Sequence, residues 1–361
     1  MLHPVPDSKE RRRLLRVVVM QRRLMGALCR LPPKTTVDQT WLQDVWPAIP
    51  AYWIQRFWTL PKDTSQPSKP GLRSVWIGTI AAAEQADKQA ILGLIAEQLR
   101  FAELYQTPPT IRLTQQAWTQ PVFKAVNELL KSFYDPLFYK DEGFPRTNGG
   151  RFHKDHLIGG FDPPISICPY TDNLIQDKKL DHFLPKDQFP MLSCHPDNLI
   201  PCSTDANSGS HKGTKVPLDL REPDQAQYWF HPRRRSAVGK YRLEFPSAPA
   251  PQPRVRFVAL DANDQRRLDN MERLFGLSEF WGRFLDDEVQ GVASDVQGWL
   301  KFDGKTPSEA NVKDCVLQRA SQERSHIGRR GLAIVKSFFY EHIANTPALL
   351  AQVVRICVYG T

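Results

Sequence analysis

The chain has 361 residues, enough for two or three domains. Its 41% hydrophobic content, with 19 Phe, 9 Trp and 9 Tyr, supplies real cores and excludes wholesale disorder. A formal net charge of +9 tilts it toward polyanions such as nucleic acid, although ordinary solubilising charge looks the same. The six cysteines (Cys29, Cys168, Cys194, Cys202, Cys315, Cys357) contain no Cys-x-x-Cys pair, a pattern of reduced thiols that suits a cytoplasmic protein.

Residues 8–31 read as one helix, with Ser8 as N-cap and Pro32-Pro33 as the stop. Its apolar run is interrupted by Arg16, Arg22, Arg23 and Arg30, so neither a signal peptide nor a membrane span is expected. The first 31 residues carry eight Lys/Arg against Asp7 and Glu10. Two uses are open: a docking helix with its arginines in water, or an arm that contacts phosphate or an acidic partner. Apolar residues nearly all round the helix favour docking.

Trp41, Trp46, Trp53 and Trp58 recur at spacings of five and seven, which suits a packed helical core better than stacking on single-stranded bases. A polar connector follows over Pro61–Pro70. The pattern then predicts a helix over 79–106, ended by Pro108-Pro109, and another from Pro121 to Phe133. From Ser132 to Lys215 helical periodicity fades and Pro, Gly, Asp and Asn become frequent, as in loops that mount chemistry on a small scaffold. Residues 241–245 and 255–260 read as strands joined by a Pro-rich turn at 247–253. The tail returns to helix through Leu268, Met271, Leu274, Phe275, Trp281 and Phe284, then over 309–325 and 328–344.

Chemistry concentrates in residues 165–215. Asp181-His182 precedes Asn198 by 16 positions counted from His182, and Asn207 lies 9 further on. Phosphodiester hydrolysis needs a base for water and a Lewis acid for the phosphate, held in register. His182 is the natural base, because imidazole titrates near neutral pH. On a strand, Asp181 and His182 point to opposite sides. At a distorted strand end Asp181 can reach a metal while His182 faces the water. Asn207 offers a neutral oxygen suited to Mg²⁺, Asn198 can fix the loop and the imidazole, and Lys212 and Lys215 can hold phosphates. Arg233-Arg234-Arg235, beside Trp229 and Phe230, offers either a backbone clamp or a solvated loop. His153, His156 and His231 read as surface or structural.

The strings Cys168-Pro169-Tyr170, Leu180-Asp181-His182-Phe183-Leu184-Pro185-Lys186, Asn198-Leu199-Ile200-Pro201 and Asn207 through Lys215 resemble the HNH (ββα-metal) endonuclease family. The resemblance covers a fifth to a third of the chain. It implies an α+β protein, with a ββα-metal nuclease core at 131–245 between a helical region at 1–130 and a strand-plus-helical region at 246–361. It implies Asp181 and Asn207 as ligands of Mg²⁺ or Mn²⁺, His182 as general base and Asn198 as the residue that positions it. His211 is an alternative ligand to Asn207. The family's structural zinc is not expected, since its cysteine positions hold Thr171, Ser203 and Ala206, although Cys194, Cys202 or His195 offer substitute ligands. Without it, packing through Tyr170, Phe183, Phe189 and Leu199 must hold the core. The implied activity is cleavage of DNA, with RNA as another possible target, by an effector of bacterial anti-phage defence beside a sensor or ATPase subunit. The alternative is a degenerate relative that binds nucleic acid or a partner without cutting.

Overall fold

The computed structural model describes residues 2–60, 71–106, 109–140, 143–146, 150–209, 211–219, 221–222, 225–246, 255–285 and 288–360. Within them the chain is α+β, mostly helical, with three separate two-stranded antiparallel sheets. The connector at 61–70 and the turn at 247–253 lie outside the described residues.

Helix α1 (Arg11–Arg30) buries Leu14, Val17, Val18, Gln21, Leu24, Met25, Leu28 and Cys29, a stripe at helical spacing. Arg12, Arg16, Arg22, Arg23 and Arg30 face solvent, which is the docking arrangement. The helix begins later than Ser8. The Ser8 hydroxyl accepts from the Glu10 N–H (3.2 Å) and donates to the Leu157 carbonyl (3.0 Å), so it anchors the entry turn to a distant segment. Gly160 permits this approach, because a Cβ there would lie 2.4 Å from the Ser8 Oγ.

Helices α2 (Gln39–Val45) and α3 (Ala51–Thr59) carry the tryptophans inward. Trp46 meets Phe57 edge-on at 5.2 Å, and the Trp53 indole N–H donates to the Gly143 carbonyl at 3.0 Å. The packed-core reading of this segment therefore holds.

The single helix expected over 79–106 is two, α4 (Leu72–Ala82) and α5 (Gln85–Leu99), followed by a 3₁₀ turn at Phe101–Tyr105. The break is at Ala83 and Glu84, whose backbones are extended. Lys88 explains it. Its fully buried ammonium donates to the carbonyls of Leu31, Pro32 and Ala81 at 3.0, 3.2 and 2.7 Å, which gathers the carboxyl ends of α1 and α4. Helix α6 (Pro121–Ser132) starts on its proline as expected.

Strands β1 (Phe144–Pro145) and β2 (Arg151–Phe152) pair, and α7 (Lys154–Gly159) is capped by His153 and His156, a structural use of both histidines. Next come β3 (Lys178–His182), β4 (Leu199–Ser203), β5 (Tyr241–Glu244) and β6 (Arg256–Ala259). The pairing of β5 with β6 matches the expected strands. Beyond them run α8 (Ala262–Phe275), α9 (Leu277–Phe284), α10 (Glu288–Phe302), α11 (Glu309–Ser325), α12 (Ala333–Asn345) and α13 (Pro347–Tyr359), with α10–α13 packed on one another. Helix α12 starts later than residue 328 because Gly328 and Leu332 take left-handed conformations. Among the described residues, no helix is long and apolar enough to cross a membrane.

Candidate active site

Strands β3 and β4 form an antiparallel hairpin in which Asp181 pairs with Ile200 and His182 with Leu199. Asn198 immediately precedes β4, so the long connection 183–198 begins and ends at the three residues singled out above. All of β4 is buried, which fixes the register, since a one-residue slip would reverse every side chain. Tyr170, Phe183, Phe189 and Leu199 are fully buried as expected, and Tyr170 stacks on Phe275 of α8 at 4.8 Å.

His182 sits half-buried against Tyr134, with ring centroids 4.2 Å apart. Its Nε2 lies 2.9 Å from the Ser193 carbonyl. A carbonyl only accepts, so Nε2 carries the proton and Nδ1 is left with a lone pair. Burial pushes the imidazole pKa down to about 3, so the ring is neutral at pH 7 but a weaker base than the near-neutral imidazole expected from the sequence. The Lys186 and Lys212 charges add to the lowering, and the Ser193 bond opposes it.

Asn198 staples the loop that presents Ser193. Its Oδ1 accepts from the Leu184 N–H (2.7 Å), and its Nδ2 donates to the carbonyls of Leu184 (2.9 Å) and Leu192 (3.1 Å). Further contacts come from the N-terminal helices. Gln21 of α1 donates to the Ser193 Oγ (3.1 Å), which donates to the Leu130 carbonyl of α6 (3.0 Å). Gln98 of α5 accepts from the Met191 N–H, and Asn127 of α6 donates to the Asp187 carbonyl. Gln21, Ser193, Tyr134 and Tyr170 were not among the expected site residues. The one sequence signal was a lone glutamine inside the apolar stripe of α1.

Asp181 faces away from His182, as strand alternation requires, and is buried. Its Oδ2 accepts from the Tyr170 hydroxyl at 2.7 Å, and its Oδ1 accepts from the Lys212 ammonium at 2.8 Å. Lys212 is fully buried and also donates to the His182 carbonyl at 2.6 Å. This departs from the phosphate-holding role expected of Lys212, because its charge is spent inside the protein. Lys215 is exposed.

The helix implied after the hairpin is absent among the described residues. Residues 204–209 and 211–219 form turns and irregular chain rather than the helix of a ββα core. Two glycines and Pro217 disfavour helix there, and Gly213 is left-handed, at φ +46°. Asn207 is half-buried, its N–H bonded to the Ser203 carbonyl at 3.3 Å, and His211 lies 3.6 Å from Asp205 rather than at Asp181. Among the described residues no group of three His, Cys, Asp or Glu converges. As folded, the donor set does not fit a divalent ion: both oxygens of its one buried carboxylate are engaged, one of them by a cation.

The turn at Cys168–Asn173 is closed by protein contacts. The Asp172 N–H donates to the Cys168 carbonyl at 3.0 Å. The fully buried Asp172 carboxylate meets His3 Nε2 at 2.6 Å and the Ile334 N–H at 2.8 Å, which ties the amino-terminal segment and α12 to the turn. Arg233 and Arg235 are half-buried and held by internal carbonyls, while Arg234 stays exposed. Arg233 donates to the Pro6 carbonyl (2.6 Å), Arg234 and Arg11 both bond Asp197, and Arg235 donates to carbonyls of Ala226 (2.7 Å) and Tyr105 (3.0 Å).

No family model matches the chain, and no solved structure matches it. A stretch of 100 residues, 28% of this chain, is 28% identical to protein ea31 of Escherichia phage lambda. The match spans 32% of that protein's length.

Proposed function

We propose that this chain hydrolyses phosphodiester bonds in DNA as an HNH-type endonuclease. The observation that carries the reading is the bond from His182 Nε2 to the Ser193 carbonyl at the end of the β3–β4 hairpin, which leaves Nδ1 to accept a proton. In this scheme Nδ1 takes a proton as water attacks phosphorus in line, the P–O3′ bond breaks, and the leaving 3′-oxygen takes a proton from solvent. Asn198 acts as a positioning residue, holding the loop that carries Ser193. Mg²⁺ or Mn²⁺ on Asp181 and Asn207 is the cofactor the resemblance implies. In the folded chain Lys212 holds Asp181 instead.

The same resemblance suggests an effector of anti-phage defence beside a sensor or ATPase subunit, with the exposed arginines of α1 as a surface for DNA or such a partner. A second reading, a chain that binds nucleic acid or a partner without cutting, draws support from the Lys212–Asp181 ion pair. Supercoiled, linear and single-stranded DNA and RNA, incubated with the full chain across a divalent-metal series, separate the two. Cleavage of DNA supports the nuclease, and retention without cleavage under every condition supports the binding protein.

A further inference from the structure

A pocket of about 480 Å³ opens between α1, the α2–α3 loop and the β1–β2 hairpin. That lies inside the roughly 300–1,000 Å³ range of small-molecule sites. Its lining shares no residue with the His182 site. The walls are apolar: Val17 and Met20 of α1, Ile49 of the loop, and Phe144 and Phe152 of the hairpin. They are fixed from behind. Phe144 packs on Phe133 and Trp53, with ring centroids 6.2 and 5.9 Å apart. The Trp46 indole N–H donates to the Met20 carbonyl at 3.3 Å, and Gln43 donates to the Ile49 carbonyl at 2.9 Å. The pocket is therefore preformed, and a ligand need not order it.

Arg13, Arg16 and Arg146 line the same pocket, and among the described residues its lining holds no carboxylate. Arg13 is paired with Glu10. Among the described residues, the side chains of Arg16 and Arg146 make no hydrogen bond or ion pair, and the Arg146 Nε is buried without a partner. A buried donor left unmet is costly and like charges repel, so an anion completes the arrangement. Guanidinium forks bond phosphate oxygens in pairs, and the apolar walls call for a flat, weakly polar body attached to that phosphate. Ala48 and Pro50 at the rim are exposed. The polar edges of a base can therefore stay in water, whereas an alkyl chain would be left half outside. We propose that this pocket binds a nucleoside polyphosphate, with its phosphates on Arg13, Arg16 and Arg146 and its base against the apolar walls. The inference goes beyond the nuclease reading and does not depend on it.

The test is isothermal titration calorimetry on the full chain, free of DNA and divalent metal. ATP, GTP, CTP and UTP are titrated beside tripolyphosphate, adenosine and decyl phosphate. The proposal expects at least one nucleotide to bind about tenfold or more tighter than each of the other probes. Arg16→Gln and Arg146→Gln should each weaken that nucleotide by about tenfold or more. Arg355→Gln, which removes an exposed arginine of α13, should keep the parent's affinity. Arg16 is exposed and bonds nothing among the described residues, so Arg16→Gln decides the matter if Arg146→Gln does not fold. Failure of every nucleotide to bind overturns the proposal. So does tripolyphosphate or decyl phosphate binding as tightly as the best nucleotide, or an equal loss in Arg16→Gln and Arg355→Gln. Because no DNA is present, these results stand apart from whether the chain cleaves.

Discussion

At the scale of single residues, the site is organised by backbone carbonyls as much as by side chains. The Ser193 carbonyl selects the His182 tautomer, and Asn198 decides where that carbonyl lies. Replacing Asn198 with alanine orphans the Leu184 N–H and two carbonyls in a fully buried setting. Each orphaned group costs about 1–3 kcal/mol, so urea unfolding of Asn198→Ala should show a loss of at least that size. An unchanged midpoint would mean that Asn198 is not the staple of this loop. That His182 and Asn198 lie at the two ends of one loop connection was legible from their spacing. The inward turn of Lys212, Arg233 and Arg235 was not, since each is decided by partners far along the chain. A lysine near two glycines reads as exposed until its carboxylate partner 31 positions earlier is in place.

At the scale of elements, the strands β5 and β6 followed from their apolar pattern and the Pro-rich segment between them, whereas the hairpin β3–β4 was implied only by the resemblance. The expected single helix over 79–106 failed at Ala83, where the Ala81 carbonyl goes to Lys88 rather than onward along a helix. The turn at Cys168–Asn173 shows the same dependence on distant groups. Asp172 links it to His3 and the start of α12. Asp172→Ala removes the partner of the Ile334 N–H and of His3. Thermal unfolding should show a loss of about 1–3 kcal/mol for each group left unpaired. The parent should melt at the same temperature with and without a chelator, and a chelator-induced drop would point to a metal in the turn.

At the scale of the whole molecule, one continuous core runs from Leu2 to Cys357, and α1 links the entry segment, the neighbouring helices and the site loop. The price of this packing is a set of histidines held neutral. Burial lowers the pKa of His195 to about 4 and that of His231 well below its ordinary value. In the unfolded chain both take a proton near pH 6.5. Because the folded values are the depressed ones, stability is full above about pH 6.5 and is lost as pH falls toward them. The loss is up to about 1.4 kcal/mol per pH unit for each histidine. The urea midpoint should therefore be lower at pH 5 than at pH 7, with a smaller drop in His231→Gln. Equal midpoints for the parent at the two pH values would contradict this account of the core.

The nuclease reading stands or falls on His182. The decisive measurement is the rate at which supercoiled DNA is cut by the parent and by His182→Ala, with circular dichroism confirming that the variant is folded. The account predicts cleavage by the parent in Mg²⁺ or Mn²⁺ and a loss of about 10²–10⁴-fold in the variant. A folded His182→Ala protein that cuts as fast as the parent would contradict it.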